Sequence, residues 1–204
     1  MKPTSFVSTV GEISADEAVG IPHLDDVVSY WTDDGYTAEE WFHELNECWG
    51  PAGFALKRGR EVQGFVVYAP PEHLPGVARY PLAVDEEAVV LAYAGGDART
   101  RRRLLVRMLR DLRQRGFGKV EAIASDRGVA HHVPTSFLLE SGWRPVRRAS
   151  YRMSYYTLAH IDLKSAVEVG QLARALVGRV KLPGLKAPPV PGALARSTGE
   201  QRSR

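Results

Sequence analysis

The stretch that most constrains this chain runs from residue 87 to residue 124. It opens with Glu87-Ala-Val-Val-Leu-Ala-Tyr-Ala94, an apolar run of strand length with no polar alternation, the pattern of a strand covered on both faces. Gly95-Gly96-Asp97 ends it. Over residues 98–115, Leu105, Met108, Leu109 and Leu112 fall on one stripe, with Leu104 beside it and arginines on the rest. That is the spacing of an amphipathic helix. Gly116 is suited to the left-handed position that closes such a helix. Val120-Glu-Ala-Ile-Ala124 follows as a second buried strand. A strand, a helix and a strand in this order make a crossover, which leaves the two strands parallel and joins them right-handedly.

The flanking segments add hairpins. Residues 54–68 hold two apolar runs about Arg58-Gly59-Arg60, which reads as a tight turn. Residues 143–148 and 151–158 read as two further strands, with a turn at Ala149-Ser150. The expected fold class is therefore α/β (α+β): a mixed central β-sheet flanked by helices. Thr37-Ala38-Glu39-Glu40 is a capping box and starts a helix over 37–48, with Trp41, Phe42, Leu45 and Cys48 or Trp49 at helical spacing. Pro70, Pro71, Pro75 and Pro81 mark 70–86 as a loop. A short helix is expected from Pro134 to Ser141, stopped at Gly142, and an amphipathic one over 165–180. Residues 1–20 are polar and without periodicity, and the Pro-rich stretch 181–204 reads as a disordered tail. That leaves one domain over 21–180, and 44% hydrophobic content over 204 residues supplies one sizeable core.

Composition narrows the setting. Cys48 is the single cysteine, so no disulfide framework forms and a reducing, cytoplasmic compartment is expected. Its spacing places it with the apolar face of the 37–48 helix. No window approaches the apolar length of a membrane span. The net charge of +3 does not by itself point to nucleic acid. Its distribution is uneven: Asp25, Asp26, Asp33, Asp34, Glu39, Glu40, Glu44 and Glu47 crowd the first fifty residues, whereas residues 99–115 carry eight arginines against Asp111.

Helix, hairpin, strand, loop, long helix, strand, short helix and strand pair, in that order over 40–160, resembles the GNAT superfamily of N-acetyltransferases. Leu112-Arg-Gln-Arg-Gly-Phe117 and Phe137-Leu-Leu-Glu-Ser-Gly-Trp143 carry the likeness, the second resembling the family's F-Y-x-x-x-G-F signature. Trp49-Gly50-Pro51, Tyr68-Ala-Pro-Pro71 and Val133-Pro-Thr-Ser-Phe-Leu-Leu139 resemble a GNAT group common in actinobacteria, whose acceptors are mostly unassigned. The resemblance implies a single domain, acetyl-CoA or another acyl-CoA as cosubstrate, no metal, and a small-molecule amine as acceptor. It implies a coenzyme site at the strand-to-helix loop, built here from Ala94, Gly96, Arg99, Thr100, Arg101 and Arg102. In the family that loop is Gly-rich, so that bare amides at a helix start hold a pyrophosphate. Here Asp97, Arg99 and Arg101 stand where glycines are expected, and Leu138 stands where a proton-donating tyrosine often does.

Direct attack of an amine on a thioester needs a base, an oxyanion donor and close positioning. Glu87 at the start of the central strand and His131 before the short helix are the candidate bases, and Tyr151 is the candidate acid. Each has a plain structural alternative: a solvated strand start, a surface loop or capping contact, and aromatic packing. His131 and His132 adjoin, but no third spaced ligand suggests a metal. Trp31, Trp41, Trp49 and Tyr68 suit either an acceptor pocket or the core. The arginine face suits coenzyme phosphates, an RNA backbone or plain solvation. Three readings stay open: an acyl-CoA-dependent N-acyltransferase; acyl transfer from aminoacyl-tRNA; and a non-catalytic binding module, whose 165–180 helix is suited either to dock a second copy as a homodimer or to cover its own sheet.

Overall fold

The structure, a computed structural model, describes residues 8–33 and 35–164. Both the 165–180 helix and the 181–204 tail lie outside the described residues. Seven strands form one sheet. They are β1 (Ser8–Glu12), β2 (Gly53–Arg58), β3 (Glu61–Ala69), β4 (Val89–Ala94), β5 (Lys119–Ser125), β6 (Arg144–Tyr151) and β7 (Ser154–Asp162), in the order β1-β2-β3-β4-β5-β7-β6. Every neighbouring pair is antiparallel except β4 and β5. That single parallel pair is the one the crossover demanded. The helices are α1 (Ala15–Ala18), α2 (Leu24–Thr32), α3 (Ala38–Cys48), α4 (Ala98–Gln114) and α5 (Thr135–Glu140). Among the described residues, no helix is long and apolar enough to cross a membrane.

The sheet is covered on both faces, which is why its central strands are apolar throughout. On one face Leu104, Leu105, Met108, Leu109 and Leu112 of α4 pack on Phe54, Val66, Tyr68, Val89 and Leu91. On the other, Trp31 of α2 and Trp41, Phe42 and Leu45 of α3 pack with Ala55, Phe65, Val67, Val90 and Ala92. Each fully buried leucine contributes about 2 kcal/mol by removal from water.

β4 carries two irregularities. It pairs with β5 only at Val89↔Val120 and Val90↔Glu121. Beyond those residues the strands run on to Ala94 and Ser125 without pairing, so they splay. Against β3, Tyr68 pairs with Leu91 but Val67 with Tyr93, which leaves Ala92 as an extra residue. The faces record the same event. Val89 and Leu91 meet α4 while Val90 and Ala92 meet the other core, but Tyr93 stays on the side of Ala92 and Ala94 returns to α4. A strand that puts two successive residues on one face contains a β-bulge.

Several sequence expectations need correction. Residues 8–18 are not featureless: β1 adds an edge strand to β2, and Ser14 caps α1. The last hairpin turns at Arg152-Met153, both at positive φ, and Ala149-Ser150 lie within β6. β4 begins at Val89, so Glu86 and Glu87 sit in the preceding turn and are exposed. The 70–86 loop contains two short 3₁₀ turns, at Pro71–His73 and Pro75–Arg79. Cys48 is exposed rather than packed in the core.

Candidate active site

The splay of β4 from β5 opens a cleft of about 250 Å³ at the C-terminal ends of the two strands. Tyr93, Ala94, Gly95, Gly96 and Arg101 line one wall, and residues 128–132 with Pro134 line the other. Beside it lies a shallower groove of about 520 Å³. Its walls are Asp25, Asp26, Ser29 and Tyr30 of α2, Tyr36 and Thr37 ahead of α3, and His131. His131 lines both spaces.

His131 is held in an unusual way. Its φ is +62°, in the left-handed region that a side chain other than glycine enters at a cost of about 1 kcal/mol or more. The Trp31 indole N–H donates to its carbonyl at 3.0 Å, and the Tyr30 ring stacks on its imidazole at 5.0 Å. Two residues of α2 thus fix a loop residue a hundred positions away. His132 is 5% exposed, and burial pushes its pKa down to about 4. Its Nδ1 lies 2.7 Å from the Ala130 carbonyl and its Nε2 2.7 Å from the Tyr80 hydroxyl. The Tyr80 hydroxyl also meets that of Tyr30. Burial raises the pKa of Tyr80.

A splayed parallel pair, a bulge in the strand on one side of it and a helix starting at the mouth are the frame of a known fold. No family model and no curated protein matches the sequence. Solved structures do match. An N-acetyltransferase from Staphylococcus aureus superimposes with a TM-score of 0.55 at 12% identity, over 77% of this chain and 99% of that one. The protein yncA of Salmonella typhimurium, solved with its cofactor acetyl-CoA, gives 0.55 at 15% identity, over 78% and 96%. A ribosomal-protein-alanine N-acetyltransferase from Brucella melitensis gives 0.55 at 13%, over 76% and 99%. The fold is that of the GNAT acetyltransferases. At these identities the likeness concerns the fold.

On the GNAT frame, the residues named from the sequence divide clearly. Ala94, Gly96, Arg101 and His131 line the same cleft. Thr100 is 8% exposed and sits beneath Gly96, where a Cβ on the glycine would lie 2.7 Å from both Thr100 Cγ2 and the Gln63 carbonyl oxygen. With φ at +98°, Gly96 is thus required by the turn itself, whatever the cleft holds. Arg99 is exposed at the first turn of α4. Arg102 leans to Glu140 of α5 at 3.7 Å, and Arg101 lies over the Phe137 ring at 4.7 Å. Glu87 lies at the opposite end of β4 from this cleft, its N–H donating to Asp85. Tyr151 packs tilted against Tyr80 and Tyr156 at 5.1 and 6.4 Å, one ring removed from the cleft wall.

Asp97 is the N-cap of α4. Its carboxylate accepts from the Thr100 N–H at 2.7 Å, and that bond holds its pKa below the usual carboxylate range. A negative group therefore already occupies the helix start, where the dipole and free amides would otherwise favour a phosphate. Leu138 is fully buried against α4 and β5 and carries no proton to give.

Sequence reasoning missed Tyr30 and Tyr80. Tyr80 hid in a Pro-rich loop. Tyr30 was readable, because Leu24, Val27, Val28 and Trp31 recur at helical spacing. The start signal was absent: His23 caps α2 in the left-handed region with no side-chain bond. The arginine face of α4 is largely engaged. Arg103 donates to the Ser8 carbonyl, Arg107 pairs with Glu12 and covers Phe54, and Arg115 joins Asp111, Pro51 and Trp49.

Proposed function

We propose that the protein is an N-acyltransferase that moves an acetyl or other acyl group from acyl-CoA to a small amine by direct attack. The observation that carries this reading is the position of His131, which borders both the cleft between β4 and β5 and the acidic groove. A base there is within reach of a nucleophile seated on one side and a thioester seated on the other. Asp25 and Asp26 give the groove the charge that draws in an ammonium group. His131 takes a proton from that ammonium as general base. The freed nitrogen bonds to the thioester carbon and gives its second proton to water, the carbon–sulfur bond breaks, and the thiolate leaves with its electron pair and takes a proton back from water. Backbone N–H groups turned out of the ladder by the Ala92 bulge are suited to the oxygen that becomes negative on the way.

The cleft suits the thioester end of acyl-CoA better than the phosphate end. Asp97 opposes phosphate at the α4 start, so the guanidinium groups of Arg99, Arg101 and Arg102 must supply the attraction that amides supply in other GNAT proteins. Calorimetric titration with acetyl-CoA tests this. The expected result is measurable binding that Arg101→Ala weakens at least fivefold. No heat at millimolar acetyl-CoA contradicts it. Asp97 and Leu138 together favour a second reading, a GNAT-fold module that binds the groove's ligand without transferring an acyl group, which turnover with any amine excludes.

A further inference from the structure

Tyr30 lines the groove, and behind it Tyr80 and His132 continue a hydrogen-bonded series that takes no part in the acyl transfer itself. Its direction follows from elementary donor and acceptor rules. The Ala130 carbonyl only accepts, so His132 Nδ1, 2.7 Å away, carries the proton. Burial keeps the ring neutral, so Nε2 is left as an acceptor. Tyr80, 2.7 Å from Nε2, gives its single hydroxyl proton there. The Tyr80 oxygen is then an acceptor toward Tyr30, and Tyr30 donates to it. Tyr30 has no proton left for anything else. Toward any further partner its oxygen only accepts.

The ring of Tyr30 is also clamped. The Arg79 guanidinium lies over one face at 4.3 Å and bonds to the Tyr30 carbonyl, while His131 stacks on the ring at 5.0 Å. Asp25 and Asp26 share the groove with Tyr30; Asp25 accepts from the Ala38 N–H at 2.7 Å, Asp26 lies 3.5 Å from His23, and Arg79 pairs with Asp33. Two carboxylates attract any cation. They also accept from an N–H, but both already have partners, so Tyr30 adds an acceptor whose direction is fixed.

We propose that Tyr80 and His132 are positioning residues that commit Tyr30 to act as a hydrogen-bond acceptor, so that the groove selects a cation presenting an N–H over one offering charge alone. This rests on the amine-acceptor reading of the groove and adds to it a source of selectivity. No proton moves along the series. Its function is to fix which way the hydroxyls point.

The probes are 2-phenylethylammonium and its N,N,N-trimethyl analogue, which share charge and aromatic end but differ in N–H donors. Calorimetry on the wild type is expected to show about a tenfold preference for the primary ammonium, the size of one hydrogen bond to a charged group. Tyr30→Phe and Tyr80→Phe are each expected to reduce that preference at least threefold, with acetyl-CoA affinity unchanged. Wild-type preference retained in Tyr80→Phe overturns the proposal, as does equal wild-type binding of both probes, which leaves the amine reading standing. Binding of neither probe removes the amine reading and this proposal with it. Nitrogen-15 NMR of His132 in the wild type is a check that needs no variant. A neutral ring protonated on Nδ1 at pH 7 is expected, and protonation on Nε2 overturns the proposal.

Discussion

At the scale of single residues, Asp97 and His132 each turn a local contact into a measurable dependence. Asp97 both caps α4 and sets a negative charge at its start. Asparagine caps equally well without the charge. Asp97→Asn is therefore expected to leave the melting temperature nearly unchanged and to tighten acetyl-CoA several-fold by calorimetry. Asp97→Ala loses the cap and is expected to cost about 1 kcal/mol in chemical denaturation. Because the folded pKa of Asp97 is depressed, its stabilising contribution is present above the unfolded value and is lost as pH falls through the folded one. Wild type should therefore fall below Asp97→Asn in stability in strongly acid solution. His132 acts at higher pH. Burial lowers its pKa from 6.5 to about 4, so below pH 6.5 the unfolded chain takes up a proton that the folded chain refuses. Stability is complete above that value and falls by roughly 3 kcal/mol down to the folded pKa. Urea denaturation between pH 7 and 4 measures the slope, and His132→Gln is expected to flatten it.

At the scale of elements, α4 and the β6–β7 hairpin show what was legible and what was not. The α4 stripe, the Thr37 capping box and the Arg58-Gly59 turn were all local signals, and the structure places each within a residue or two. The splay of β4 from β5 was not local, since it appears only where pairing stops after Val90. The bulge at Ala92 is equally silent in a run of small and apolar residues. The last turn misled because Arg152 and Met153 are poor residues for positive φ, and Ala149-Ser150 offered a more usual turn composition. That mismatch yields a prediction. A two-residue hairpin with both φ values positive favours Asn-Gly. Arg152→Asn combined with Met153→Gly is expected to stabilise the fold by about 1 kcal/mol, seen as a higher melting temperature, with no change in ligand binding.

At the scale of the whole molecule, the candidate site is assembled from three distant stretches: the α2 region, the β4–α4 connection and the loop after β5. The sequence pointed to the last two, because the GNAT resemblance ran through them. It gave His131 a neighbourhood but not its partner, since the Trp31 bond that holds the loop spans a hundred residues. Glu87 shows the converse, a residue at the expected strand whose side chain sits at the far end from the cleft. The central claim is that His131 serves a nucleophile in the groove and a thioester in the cleft at once. Thiol release from acetyl-CoA, followed with 2-phenylethylamine as acceptor, tests it most directly. The account predicts turnover by the wild type and a loss of about a hundredfold or more in kcat in His131→Ala, with acetyl-CoA affinity within twofold. Wild-type turnover in His131→Ala, or no thiol release from the wild type with any primary amine, contradicts it.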